Sequence, residues 1–217
     1  MRDATMSGNQ LAADAKRGFR RSITRILGPR AVFFWGFIEE PAMVAAAFPS
    51  SKGLVKAMLE PVDWDNCKLF VEYGPRVGTF CPHILERLPD DGELLVIDTN
   101  PLFIDYLRET IDDPRFTAVL GSAEDVEKIV RAHGFERADF VLSGMPISTM
   151  PPAVTENILK ATYRVLREGG AFLTYQYRDA AYRLTARHFE RTIKEKTYRN
   201  IPPCILAWGY KEPRADG

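Results

Sequence analysis

Charge of one sign is what this sequence most plainly lacks. Lys and Arg total 29 and Asp and Glu total 29, so the formal net charge is zero. No global field recruits nucleic acid or an anionic surface, and any such attraction must come from a local patch. Long apolar runs are missing too. None reaches the roughly 18 residues of a membrane span, and the polar N-terminus lacks a signal-peptide core. Cysteine is scarce. Cys67, Cys81 and Cys204 are odd in number and have neither CxxC nor zinc-like spacing, which reads as free thiols in a reducing cytoplasm. His83, His133 and His188 are far apart and form no metal or nucleophile motif, so solvated or capping roles are expected and no metal. There is no repeat and no low-complexity segment. What remains is ordinary globular composition, 46% hydrophobic and 27% charged, in 217 residues, enough for one good-sized core and an appended element.

The informative stretch is Lys68–Phe80, KLFVEYGPRVGTF. Leu69–Val71 is a short apolar run, and the chain then turns through Glu72, Gly74, Pro75 and Gly78. That pattern reads as a buried strand ending in a tight loop. Ile84, Leu85 and Leu88 follow at helical spacing. A strand, a glycine turn and a helix let backbone N–H groups approach a ligand closely. Glu93–Thr99, ELLVIDT, is a second apolar run ending in an acid. Asp98 stands 20 residues after Gly78. A carboxylate there can accept hydrogen bonds from a ribose diol. The arrangement implies a nucleoside cofactor without saying which.

EYGPRVGTF resembles motif I of the class I S-adenosylmethionine (SAM) methyltransferases, E-x-G-P-G-x-G. More narrowly, the chain resembles bacterial phospholipid N-methyltransferases, relatives of the ribosomal RNA adenine dimethylases. The matching pieces are AAAFPSSKGLVKAM (45–58), VEYGPRVGTF, GSAED (121–125), SGMPIS (143–148) and NIPPCILAW (200–208). The resemblance implies an α/β fold: a Rossmann-like, seven-stranded, mostly parallel sheet with helices on both faces. It implies SAM as cofactor, held by Glu72, Gly74, Pro75, Arg76, Gly78, Asp98, Thr99, Ser122, Ala123, Glu124 and Ser143. Ala123 would contact the adenine ring and Glu124 or a nearby backbone group its amine; alternatively Ser122 merely caps a helix. Arg76 departs from the pattern, because the family has glycine there. Its side chain would clash with the methionine part of SAM, pair with its carboxylate, or point to solvent.

Elsewhere the sequence predicts, in order, helices over 11–27, 41–48 and 52–59, then strand one. After strand two come a helix over 101–110, a strand over 116–120, a helix over 124–132 and a strand over 138–142. A long helix over 151–166 ends at Gly169-Gly170. Strand five covers 171–177, a helix 182–189, and two final strands 192–198 and 205–210, one antiparallel. Helix 11–27 puts Leu11, Ala15, Phe19, Ile23, Ile26 and Leu27 on one face, with six basic residues and no acid from Lys16 to Arg30. It either lies in a membrane interface or packs on the domain. The organisation is thus residues 1–40 as a basic amphipathic helix and linker, and 41–217 as the methyltransferase domain. Either Ser50 or Ser51 is expected to cap the next helix, and by the resemblance both lie near the substrate entrance.

The loop Ser143-Gly144-Met145-Pro146 is expected at the carboxyl edge of the sheet, where open α/β folds bind ligands. By the resemblance it holds the substrate amine, with Ser143 in a catalytic role and Gly144, Met145 and Pro146 binding substrate; the alternative is a Gly-Pro turn with no catalytic part. Tyr177 is expected from its placement to bind substrate and act in catalysis. An ammonium must lose a proton before it can attack a sulfonium methyl. The Ser143 carbonyl or a phenol, Tyr175 or Tyr177, would position the amine or relay that proton. Trp35, Tyr177 and Trp208 are candidates for cation–π contact, with core packing the competing role. The expected activity is methylation of phosphatidylethanolamine-type phospholipids at an anionic membrane surface. The expected location is the cytoplasm, with peripheral binding to the inner membrane open. No stable nucleic acid partner is expected. The rivals are an RNA adenine methyltransferase, disfavoured by a strand-four loop with no acid, amide or following aromatic; a small-molecule methyltransferase; and a weakly catalytic SAM- or lipid-binding protein in which Arg76 spoils the site. The acceptor, the number of methyls and the oligomeric state stay open.

Overall fold

The computed structural model describes residues 51–198 and 203–213. The expectations for helices 11–27 and 41–48, Trp35, Ser50, and the domain division at residue 40 lie outside the described residues.

Periodicity decides most of the architecture. In β1 (Leu69–Tyr73) every residue is buried. Its alternate side chains enter two cores: Phe70 one, Leu69, Val71 and Tyr73 the other. A strand buried on both faces must have helices on both faces. α1 (Lys52–Leu59), α2 (Cys81–Leu85) and α3 (Pro101–Thr110) supply the first layer. α4 (Val126–Ala132), α5 (Pro152–Val165) and α6 (Ala180–Thr185) supply the second. β2 (Glu93–Asp98), β3 (Phe116–Leu120), β4 (Ala138–Ser143), β5 (Leu166–Gln176), β6 (Arg191–Thr197) and β7 (Cys204–Tyr210) complete a sheet of order β3-β2-β1-β4-β5-β7-β6. β7 runs antiparallel to both β5 and β6, and the other pairings are parallel. The sheet is the expected seven-stranded one.

Local chemistry explains the boundaries. Ser51 Oγ accepts the Leu54 N–H at 3.1 Å and starts α1. Asn100 Oδ1 accepts from Leu102 at 3.0 Å and starts α3, with Pro101 at its first position. Several boundaries differ from the sequence reading. Gly169-Gly170 do not terminate α5, which stops at Val165. They form a bulge inside β5: the ladder pairs Ala138 with Leu166, then Phe140 with Ala171. Gly169 sits at φ +76°, and a Cβ on Gly170 would stand 2.7 Å from the Asp139 carbonyl, so the bulge needs both glycines. The 182–189 helix is also shorter and earlier, Ala180–Thr185. The 124–132 helix begins as a 3-10 turn, Ala123–Asp125.

All three cysteines are buried, and none is in a disulfide. His133 and His188 each bond a helix carbonyl four residues back, the capping role expected of them. Trp208 is 4% exposed and donates to the Met58 carbonyl at 3.1 Å, which makes it a core residue. No helix among the described residues is long and apolar enough to cross a membrane, and none of their acids, histidines and cysteines cluster as a metal site.

Candidate active site

Three parallel strands end side by side at the centre of the sheet. Tyr73 pairs with Ile97 on one side and Ser143 on the other. Backbone bonds then stitch the exits. Gly74 N donates to Ile97 O at 2.9 Å, Gly144 N to Tyr73 O at 3.0 Å, and Gly121 N to Asp98 O at 3.0 Å. The loops after β1, β2, β3 and β4 therefore share one edge, and the residues expected from distant stretches of sequence meet there.

The β1 loop is built on left-handed backbone. Gly74, Arg76 and Gly78 have φ of 62°, 53° and 72°. A Cβ on Gly78 would lie 2.6 Å from Leu107 Cδ2, and one on Gly74 would lie 2.9 Å from Met145 Cγ. The first contact seats the loop on α3, and the second holds it against the β4 loop. Pro75 is buried and Gly78 N donates to its carbonyl at 2.8 Å, closing the turn. Arg76, where the family pattern has glycine, keeps the left-handed geometry that a glycine would give. It is half-buried, and its backbone N–H bonds the Asp98 carboxylate.

Asp98 closes the other side. Burial lifts its carboxyl above the usual aspartate range, and the N–H groups of Asn100, Arg76 and Thr99 and the Arg76 charge pull it back. Asn100 N lies 2.9 Å from its Oδ1. Thr99 is exposed at the start of the loop. Glu72 is fully enclosed behind the turn. Burial raises its carboxyl to about 8, the Cys81 thiol donates to it at 3.4 Å, and the nearby Asp98 charge raises it further.

After β3, Ser122 Oγ accepts the Glu124 N–H at 3.2 Å and caps the turn, while Ala123 is 5% exposed and packs into the second core. The Glu124 carboxylate accepts from Asn157 on α5 at 2.9 Å. Its side chain is thereby committed across the layer.

The β4 loop is held from three directions. Ser143 is fully buried, its Oγ accepts the Met145 N–H at 3.3 Å, and its carbonyl lies 3.5 Å from the Thr174 hydroxyl. Gln176 donates to the Met145 carbonyl at 3.2 Å and accepts from Ser148. Thr155 donates to the Ile147 carbonyl at 2.9 Å. Pro146 is exposed and Met145 half-buried. Tyr175 packs on Phe80 with centroids 5.4 Å apart and ring planes tilted by 38°, and its hydroxyl would be 3.4 Å from a Cβ on Gly144. Tyr177 stands 46% exposed just beyond β5. Partial burial raises its phenol above the usual value, with Cys204 raising it further and the Arg76 charge acting against both. Ser51 caps α1.

Thr174, Gln176 and Asn157 were not singled out by sequence reading. Polar residues in or after apolar runs carry no motif, and each partner lies at least 28 positions away.

The cradle fits an adenosyl cofactor on these observations. It has a narrow left-handed turn with no room for side chains at Gly74 and Gly78, an acid at the end of β2 aimed at the same edge, and a buried small residue, Ala123, after β3. Comparison with known proteins agrees. Residues 70–170 match the family model described as a methyltransferase domain. An ornithine lipid N-methyltransferase of Singulisphaera acidiphila is 28% identical over 178 residues, covering 80% of this chain and 91% of that one. Among solved structures, the 1,6-didemethyltoxoflavin-N1-methyltransferase of Burkholderia thailandensis has a TM-score of 0.55 at 14% identity, covering 98% of this chain and 94% of that one. The precorrin-6y C5,15-methyltransferase of Geobacter metallireducens has a TM-score of 0.60 at 13% identity, covering 74% and 89%. These two share the fold. With sequence and fold in agreement, residues 70–170 form a methyltransferase domain on a Rossmann-like methyltransferase fold, its cofactor is S-adenosylmethionine, and the chain is similar to a lipid N-methyltransferase.

Proposed function

We propose that the protein N-methylates the amine of phosphatidylethanolamine-type phospholipids at a membrane surface. The observation that carries this reading is where apolar side chains reach solvent. Among the described residues five large hydrophobics are exposed: Leu102, Leu120, Tyr177, Ile193 and Tyr198. β6 runs parallel to β5, so four of the five, all but Ile193, lie at the carboxyl edge that carries the cofactor cradle. An apolar rim around a polar cleft suits a molecule with acyl chains and a polar head. The likeness to an ornithine lipid N-methyltransferase supports the same class of acceptor.

The cofactor supplies an electrophilic methyl; the chain has to align an amine and keep water out. The β4 loop suits positioning, because Ser143, Gln176 and Thr155 fix its backbone. Ser143 acts as a positioning residue through that loop. In this reading Tyr177 takes the ammonium proton onward. Its phenol stays neutral near pH 7, so it accepts from the ammonium through oxygen and passes its own proton to water. Gly144, Met145 and Pro146 line the amine's approach, beside Tyr175.

The test is transfer of label from methyl-labelled SAM. Liposomes containing phosphatidylethanolamine are expected to take up label, and pure phosphatidylglycerol liposomes none. Label in RNA, with none in lipid, would overturn the proposal. Tyr177→Phe is expected to lower kcat while leaving SAM affinity within about twofold.

A further inference from the structure

Arg76 alone, outside glycine, holds a left-handed backbone among the described residues. Such a residue costs on the order of 1–2 kcal/mol and collects at ligand clamps, where the surroundings over-determine it. The turn itself does not call for arginine. Glycine makes it without strain, as at Gly74 and Gly78. What Arg76 adds is therefore its side chain, half-buried at the carboxyl edge.

Its placement follows from the sheet. Arg76 leaves β1, its backbone N–H is tied to Asp98 at the end of β2, and its charge acts on Asp98 and on Tyr177 beyond β5. In the order β2-β1-β4-β5 those two residues bracket the cleft. β1 and β4 lie between those two residues, so the Arg76 charge acts across the strand ends that carry the cradle.

We propose that Arg76 is an anion receptor inside the cleft, its guanidinium binding the carboxylate or phosphate oxygens of a molecule held for methyl transfer. Guanidinium forks match both groups in paired hydrogen bonds. Two molecules present such an anion: the cofactor, through its amino-acid carboxylate, and a zwitterionic aminolipid, through the acidic group near its amine. The second source rests on the lipid reading above; the first does not.

Calorimetry on the full chain separates them. SAM and 5′-methylthioadenosine, which lacks the amino-acid tail, are titrated into wild type, Arg76→Gly and Arg76→Lys. KM is measured for phosphatidylethanolamine and for stearylamine, an amine without an anion. If the cofactor carboxylate is the ligand, Arg76→Gly weakens SAM about tenfold or more and leaves methylthioadenosine unchanged. If the headgroup is the ligand, SAM is unchanged and KM rises about tenfold for phosphatidylethanolamine but not for stearylamine. Arg76→Lys recovers part of either loss. Melting temperature serves as the fold control: Arg76→Gly is expected to melt no lower than wild type, since it relieves the left-handed strain.

The proposal is overturned if Arg76→Gly stays within twofold on both measures, or weakens methylthioadenosine as much as SAM. Wild type that binds SAM yet methylates no lipid overturns the lipid reading alone and leaves the cofactor arm standing. Wild type that binds neither nucleoside overturns both.

Discussion

Glu72 shows how much a single buried acid can impose on the molecule. Its carboxyl rises from an ordinary 4.5 to about 8, first through burial. The folded state therefore holds a proton that the unfolded chain has already released above pH 4.5. Stability is fully present below that value and is lost as pH rises toward 8, at up to about 1.4 kcal/mol per pH unit. Melting temperature should fall between pH 5 and 8 in wild type. In Glu72→Gln, which cannot ionise, that part of the fall should vanish, and calorimetry at four pH values across the window checks it. The glycines behave differently. Gly78→Ala must carry a side chain at φ +72° and push Leu107, a fully buried residue. A loss of about 2 kcal/mol is expected, with weaker SAM binding, read by denaturant melts and calorimetry. Both glycines and Asp98 were legible in the sequence, because a turn needing positive φ and an acid at a strand end leave local marks. The Glu124–Asn157 pair was not, since nothing near either residue foretells a bond across 33 positions.

At the scale of elements, the loop after β4 is held by its neighbours more than by itself. Its backbone is fixed by Gln176 of β5, Thr155 of α5 and its own Ser143 hydroxyl. Gln176→Ala removes the bond to Met145 O and the partner of Ser148. Since neither bond is deep in the core, stability should drop by only about 1 kcal/mol. Catalysis should suffer more, because a loosened loop misplaces the amine: kcat is expected to fall on the order of tenfold or more while SAM affinity holds. Steady-state kinetics beside SAM calorimetry reads that split, which a general loss of folded protein would not produce. Element identities were largely legible, because continuous apolar runs and helical spacing extend over whole segments. Where the reading slipped, at Gly169-Gly170, two meanings of a glycine pair competed. A helix stop and a strand bulge look alike until the facing strand is known, and here Asp139 of β4 decides.

For the molecule as a whole, the sheet separates function from anchoring by its two ends. The carboxyl edge carries the cradle and the apolar rim, while the amino edge carries Asp139, at 6% exposure. Its carboxylate accepts the Lys68 and Leu69 N–H groups at 2.7 and 2.8 Å and pairs with Arg167. Those bonds tie β1 to β4 and to the β5 bulge at the end opposite the site. The sequence could show that strands exist and that seven suit the fold. It could not show this tie, because the acid, the two N–H donors and the arginine come from three separate strand starts. Asp139→Asn turns one oxygen acceptor into a donor facing that cluster. With Arg167 about one-third exposed, the pair is partly screened, and a loss of about 2–3 kcal/mol is expected. In a chain of this size that is roughly 5–10 °C in melting temperature. Because the change lies at the far end of the strands, SAM affinity measured well below the melting point should stay within about twofold of wild type. A large loss of affinity at low temperature would mean that the amino edge sets the geometry of the cradle, and that the central strands transmit strain along their length.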